Sequence, residues 1–250
     1  MKYYFSNKDL GFLSFLFHHP LPLIVEDPFD GWTKVQIQKE WQLFIENFRS
    51  SGLLHTDDTG NVTLDDRLIE ALLCVFGADM IISLVEETEI HSVFYLQDAD
   101  RGLLRKTDIG FTLEHFEHEE DFIQTFLAMV NSKETAFSNA VERFSFQLQT
   151  SQFDELLSWY TQGEVGKINT FCNQSLVNAD VCISILHALH LPECQLILTE
   201  RINEPGTITT RIANESGILK LVKIIHTEEK DITTLLKCSP SELTNTILDF

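Results

Sequence analysis

The residues best placed to do chemistry stand between Glu114 and Asp121, where the run EHFEHEED sets His115 and His118 among acidic side chains. Imidazole and carboxylate together can hold a transition metal. The spacing argues otherwise, because the run reads as the end of a strand, and on a strand two histidines three apart point to opposite faces. Neither HExxH nor another ligand pattern is present. The acids suit the first turn of a following helix, where they meet the positive end of its dipole. The segment therefore reads as a strand-to-helix junction, and a metal-dependent enzyme is the least favoured reading.

His187 and His190, in HALHLP, lie three apart on a helix in apolar surroundings, and His18 and His19 end an earlier helix. Both pairs suit a helix C-terminus, where a partly positive imidazole opposes the dipole. A nucleophile on a strained GxSxG turn is absent, as are the GxGxxG and GxxxxGK[ST] loops that cradle phosphate. Carboxylates are abundant enough for a glycosidase-like pair, but abundance alone supplies no spacing evidence for one. The chain reads as a non-enzyme with no catalytic residue, no cofactor and no metal.

Composition narrows the partner. Asp and Glu number 38 against 18 Lys and Arg, a formal charge of -20, and such a field repels phosphate backbones and anionic lipid. The richest basic stretch, Arg101, Arg105 and Lys106, is too short to offset it, which excludes nucleic acid. Cys74, Cys172, Cys182, Cys194 and Cys238 are odd in number, show no CxxC spacing and lie in apolar patterns, as reduced core thiols do. No apolar run approaches the roughly 18 residues of a membrane span, and MKYYFSNKDLGF lacks the layout of a signal peptide. The expected location is the cytoplasm, without membrane insertion, and the expected partner is another protein. A hydrophobic loop rimmed by acids, HHPLPLIVEDPFDGW with Pro20, Pro22, Phe29 and Trp32, is a candidate contact patch.

The elements follow from periodicity. Ser6 caps a helix carrying Leu10, Leu13 and Phe17, which His18, His19 and Pro20 stop. Thr33, with Gln36 placed for a capping box, opens a second helix whose stripe is Ile37, Trp41, Phe44, Ile45 and Phe48, with Gly52 beyond its end. The turn-rich DDTGN segment leads to Thr63 and a third helix with Leu68, Leu72, Val75 and Phe76. MIISLVEE, SVFYLQ, LLRK and FTLEHF then read as an antiparallel meander, followed by a helix with Phe122, Phe126, Met129 and Val130. Residues 132–191 read as helical throughout, with stripes at Phe137, Val141, Phe144 and Leu148, at Phe153, Leu156, Leu157 and Tyr160, and at Val181, Ile185 and Leu189. CQLILTERI, TITTRIA and ILKLVKII form a second meander, a closing helix starts near Thr227, and Pro240 begins its last turn.

The β-then-helix unit thus occurs twice, and EEDFIQTFL from Glu119 aligns without a gap on EEKDITTLL from Glu228. The expected organisation is one domain, 1–250, of two pseudo-equivalent halves. Residues 1–131 hold the N-terminal helices, meander and helix, 132–192 the helical middle, and 193–250 the second meander and closing helix. The expected class is α+β, an antiparallel sheet flanked by helical bundles with a quasi-twofold internal repeat.

The order of features resembles the EspG-type chaperones of ESX, or type VII, secretion systems. The resemblance is carried by the PLPLIV segment, by EWQLFIENFRSSGLL and by LDDRLIEALLCVFGAD, in which Trp41, Gly52, Leu53, Leu54, Asp66, Leu68, Ala71 and Leu72 stand where that family has its aromatic helix, Gly-Leu-Leu-like turn and following helix. The Glu, Lys, Ile and Asn content resembles that of a distant, low-GC Gram-positive relative. The resemblance implies a cytosolic chaperone that binds a specific type VII secretion substrate, shields its hydrophobic helical tip and keeps it soluble for export. By position it points to Thr207–Leu248 as the substrate surface, with Ile208, Ile212, Leu219, Leu221, Leu235, Leu236, Leu243 and Ile247 as the partner-binding residues. The partner is then a helical secreted substrate or a toxin. The alternative is an immunity or antitoxin-like protein that binds and inhibits a toxin, which is equally small, acidic and cytosolic.

Overall fold

The first strand of the chain is held by the last strand of a meander more than a hundred residues later. β1 (Lys2–Phe5) alternates exposed and buried side chains, and Tyr3 and Phe5 turn inward. It runs antiparallel to a later strand with Phe5 opposite Phe111 and Lys2 opposite Glu114. Gly110, at φ 146°, lies against the Phe5 carbonyl, where a Cβ would have no room. The computed structural model describes residues 1–56, 62–86, 88–130, 143–191, 194–202, 206–215, 218–227, 230–239 and 242–243. The DDTGN segment, Phe137, Val141, Pro240 and Ile247 lie outside them.

The chain divides into two units, Met1–Ser83 with Ile90–Glu119, and Leu84–Glu89 with Glu120–Phe250. In the first, α1 (Asn7–Phe17) starts at Ser6, whose hydroxyl accepts from the Asp9 amide while Asp9 reaches back to the Ser6 amide. α2 (Lys34–Ser50) starts with the Thr33–Gln36 capping box that the spacing foresees. A small hairpin, β2 (Leu54–Thr56) and β3 (Val62–Leu64), precedes α3 (Asp66–Phe76). Thr63 belongs to that hairpin, and Asp65 caps α3 by accepting from the Arg67 and Leu68 amides at 3.1 and 3.2 Å. The meander follows as β4 (Met80–Glu86), β5 (Glu89–Gln97), β6 (Asp100–Thr107) and β7 (Gly110–Phe116), in the sheet order β1-β7-β6-β5-β4. Leu10, Leu13, Phe44, Phe48, Leu68 and Leu72 from the helices meet Val93, Tyr95, Leu104 and Leu113 from the strands in one core.

α4 (Glu119–Val130) buries Phe122, Phe126 and Val130. The second unit then repeats the plan of the first. β8 (Phe144–Gln149) is followed by α5 (Thr150–Thr161), α6 (Val165–Gln174) and α7 (Ala179–Ala188) and by a meander of β9 (Gln195–Arg201), β10 (Gly206–Glu215), β11 (Ile218–Thr227) and β12 (Asp231–Cys238). The last meander strand again pairs antiparallel with the first strand, Leu235 opposite Phe146, giving the order β9-β10-β11-β12-β8. Leu148, Phe153, Leu156, Ile168 and Ile185 pack with Val222 and Leu235 in this unit's core.

The fold is α+β with antiparallel strands, and seven helices among the described residues. Its repeat is strand, three helices, four-strand meander, not meander followed by helix. Two expectations are corrected with it. The segment aligned on α4 is the strand β12, because Ile232, Thr233 and Thr234 crowd χ1 in a helix and suit a pleated surface, and because strands flank it on both sides. The stretch read as helical from 132 to 191 contains β8, in which Phe144, Phe146 and Leu148 alternate with polar residues.

Candidate functional site

Of the residues assigned to partner binding, six lie on strands of the second sheet. Register places Ile208, Ile212, Leu219, Leu221 and Leu236 on one face of the second sheet and Leu235 on the other. Ile212, Leu219, Leu221, Leu235, Leu236 and Leu243 are all 5% exposed or less, Ile208 is half-buried, and Ile247 lies outside the described residues. Once Asp231–Cys238 is a strand, its leucines are taken up by the protein's own packing. These six side chains, Leu243 included and Ile208 not, are buried in the chain as it stands.

The histidines act as local ties. His115 on β7 sets Nε2 3.7 Å from Asp100 on β6, while His118 is exposed before α4. Among the described residues, no three of His, Cys, Asp and Glu stand together as cation ligands. His187 Nδ1 lies 2.9 Å from the Tyr160 hydroxyl, which ties α7 to α5, while His190 Nδ1 donates back to the Leu186 carbonyl of α7 at 2.8 Å. His18 is the left-handed cap of α1, at φ 55°, and His19 stacks on Phe76 with ring centroids 5.5 Å apart.

One opening in the first unit lies between α1, α2 and the loop joining them. Its volume is about 640 Å³, and its lining includes Gly11, Phe12 and Phe15 from α1, Phe29 from the loop, and Ile37 and Trp41 from α2. The loop is fixed as an ordered wall. Phe29 N donates to Asp27 Oδ1 at 2.8 Å, Trp32 N to the Phe29 carbonyl at 3.0 Å, and Asn7 Nδ2 to the Glu26 carbonyl at 3.1 Å. Lys8 lies 5.0 Å over the Trp32 ring and 3.0 Å from Glu40, tying the loop to both helices. Phe12 is the hub, with its ring centroid 4.6 Å from Phe29, 5.2 Å from Trp41 and 5.3 Å from Phe44. Gly11 lets the loop approach: a Cβ there would stand 2.6 Å from Pro28 Cγ.

A second opening of about 540 Å³, lined by Leu16, Phe17, Trp41, Ile45, Leu54 and Leu64 among others, also includes Trp41. The two depressions thus share that indole. Of the loop residues that the sequence singles out, Phe29 lines the groove directly and Trp32 packs edge-on against it, with ring centroids 5.9 Å apart. The part played by Phe15 and Trp41 was not legible, because helical periodicity assigns Trp41 to an ordinary apolar stripe and leaves Phe15 off the stripe of Leu10, Leu13 and Phe17.

An aromatic groove with few charges, walled by an ordered loop, suits an apolar ligand. No family model matches the sequence, and no curated protein matches it. Among solved structures, the chain is similar to EspG5, the type VII secretion system chaperone of Mycobacterium tuberculosis, whose structure was solved in complex with a PE25–PPE41 dimer. The TM-score is 0.59 at 13% sequence identity, and the match covers 100% of this chain and 96% of that chain. The chain has an EspG-like fold. The likeness spans both units.

Proposed function

We propose that this protein is a cytosolic, non-catalytic secretion chaperone that binds one helical substrate of a type VII secretion system, in a distant, low-GC Gram-positive setting, and keeps it soluble for export. The observation that carries the reading is the EspG-like fold over the whole length, shared with a chaperone whose solved complex holds a protein dimer. The formal charge of -20 supports it, since a strongly acidic carrier keeps a bound apolar partner in solution.

The mechanism is physical. An unassembled helical tip aggregates because its apolar surface meets other tips, and a chaperone replaces that contact with a matched one of about 800 Å² per partner. Affinity purification of the tagged chain from its native cytosol, with mass-spectrometric identification, tests the reading. Stable co-elution of a helical secreted protein supports it. If the captured protein is a toxin, an activity assay separates the two binding roles: a chaperone leaves toxin activity intact, whereas an immunity protein abolishes it. Recovery of the chain alone counts against both.

A further inference from the structure

The two depressions beside α1 and α2 meet at Trp41, and among the described lining residues the carboxylate of Asp27 and the ammonium of Lys34 belong to the first. Lys34, Ile37, Trp41 and Ile45 recur every three or four residues along α2 and line the two depressions in turn. At 1.5 Å per residue this stripe runs for about 17 Å, or three helical turns. A compact small molecule would fill one depression, while a rod-shaped occupant would cross Trp41 and use both. On α1 the rim carries Phe15, 71% exposed, beside the first depression and Leu16, 40% exposed, beside the second. Two adjacent apolar side chains left in water are surface that an occupant would cover.

Electrostatics and hydrogen bonding narrow the occupant further. Among the described residues, the first depression carries the carboxylate of Asp27 and the ammonium of Lys34, whereas those lining the second are apolar. The Ser14 side chain lies in the lining of the first depression at 3% exposure, and its Oγ has no hydrogen-bond partner among the described residues. A buried hydroxyl left unpaired is costly, and a polar group on an occupant could satisfy it.

We infer that this groove seats an amphipathic helix of the partner protein. The helix lays a neutral apolar stripe of about three turns across Trp41, carries one acid and one base at the end nearest Lys34 and Asp27, and presents a hydroxyl or amide to Ser14. The identity of the partner rests on the chaperone reading; the geometry of the groove does not.

The test uses the full chain and a fluorescein-labelled synthetic peptide of about 16 residues. Its leucines form one helical stripe, a serine interrupts the stripe near one end, and a lysine and a glutamate flank that end. Anisotropy titration should show saturable binding, weakened at least about tenfold by Phe15→Asp and by Lys34→Glu, both exposed positions, with the fold of each variant checked by circular dichroism. Three outcomes would overturn the inference: equal affinity for a scrambled peptide without a stripe, unchanged affinity in both variants, or saturable binding of myristate with no peptide binding. So would dimerisation of the chain that Phe15→Asp abolishes, because the occupant would then be a second copy. Peptide binding by a chain that retrieves no secretion partner sinks the chaperone reading and leaves the groove standing. Full capture of a secretion partner by both variants does the reverse.

Discussion

The ring of Phe29 lies 4.6 Å from that of Phe12, tilted by 42°, and this contact turns the loop between α1 and α2 into the wall of a groove. It depends on Gly11, where an added Cβ would meet Pro28 Cγ at 2.6 Å and Phe29 Cε2 at 2.7 Å. Alanine is favoured over glycine in a helix by about 1 kcal/mol, so in open space Gly11→Ala would stabilise α1. Here the approach forces the loop outward, and the expected net result is destabilisation by about 1–3 kcal/mol. Urea unfolding measures it, and a more stable Gly11→Ala variant would show that the loop does not sit on the helix as described.

Thr33→Ala should cost about 1 kcal/mol. Thr33 Oγ1 accepts from the Gln36 amide at 3.4 Å, and Gln36 Oε1 accepts from the Thr33 amide at 2.9 Å, so the box satisfies amides at the start of α2. The loss should appear as a lower urea midpoint at unchanged slope.

Acid sensitivity should drop in Asp231→Asn. The Thr150 hydroxyl and, secondarily, His226 hold the Asp231 carboxyl below its ordinary value of 3.8. A carboxylate depressed in the folded state contributes stability that is fully present above that ordinary value and is lost as pH falls through the lower folded value. The asparagine variant lacks this titration, so its stability, followed by urea unfolding from neutral pH to below pH 3.8, should fall less steeply than that of the parent.

Thiol chemistry should be slow until the chain unfolds. Burial pushes Cys74, Cys182 and Cys238 up to about 12, which leaves roughly one thiol in ten thousand ionised at about pH 8. With Ellman's reagent at that pH, these three should react only after denaturation, whereas the half-buried Cys194 should lead any native reaction.

The helix starts were legible because capping is local: Ser6 with Asp9 and Thr33 with Gln36 each declare themselves within four residues. The first meander was legible because alternation and turn residues are local as well. β12 was not, because the acids and leucines of EEKDITTLL resemble a helix start. What makes it a strand is pairing with β8, sealed by Thr233 donating to Thr150 across 83 positions of sequence. The alternation of Phe144, Phe146 and Leu148 was present all along, and extending the stripe back to Phe137 and Val141 obscured it. The repeat was visible in the order of elements but misphased, since its defining contacts, β1 with β7 and β8 with β12, are long-range. The groove was half visible. The loop drew notice for its apolar residues, but only the fold brings Phe15 and Trp41 to it.

Whether this chain keeps a helical secretion partner soluble by covering it is read from the solubility of the captured partner expressed alone and together with the chain. The partner should sediment when expressed alone, stay in the supernatant as a stable complex when the chain is present, and sediment again when the chain carries Phe15→Asp with Lys34→Glu. A partner equally soluble with and without the chain would contradict the chaperone role.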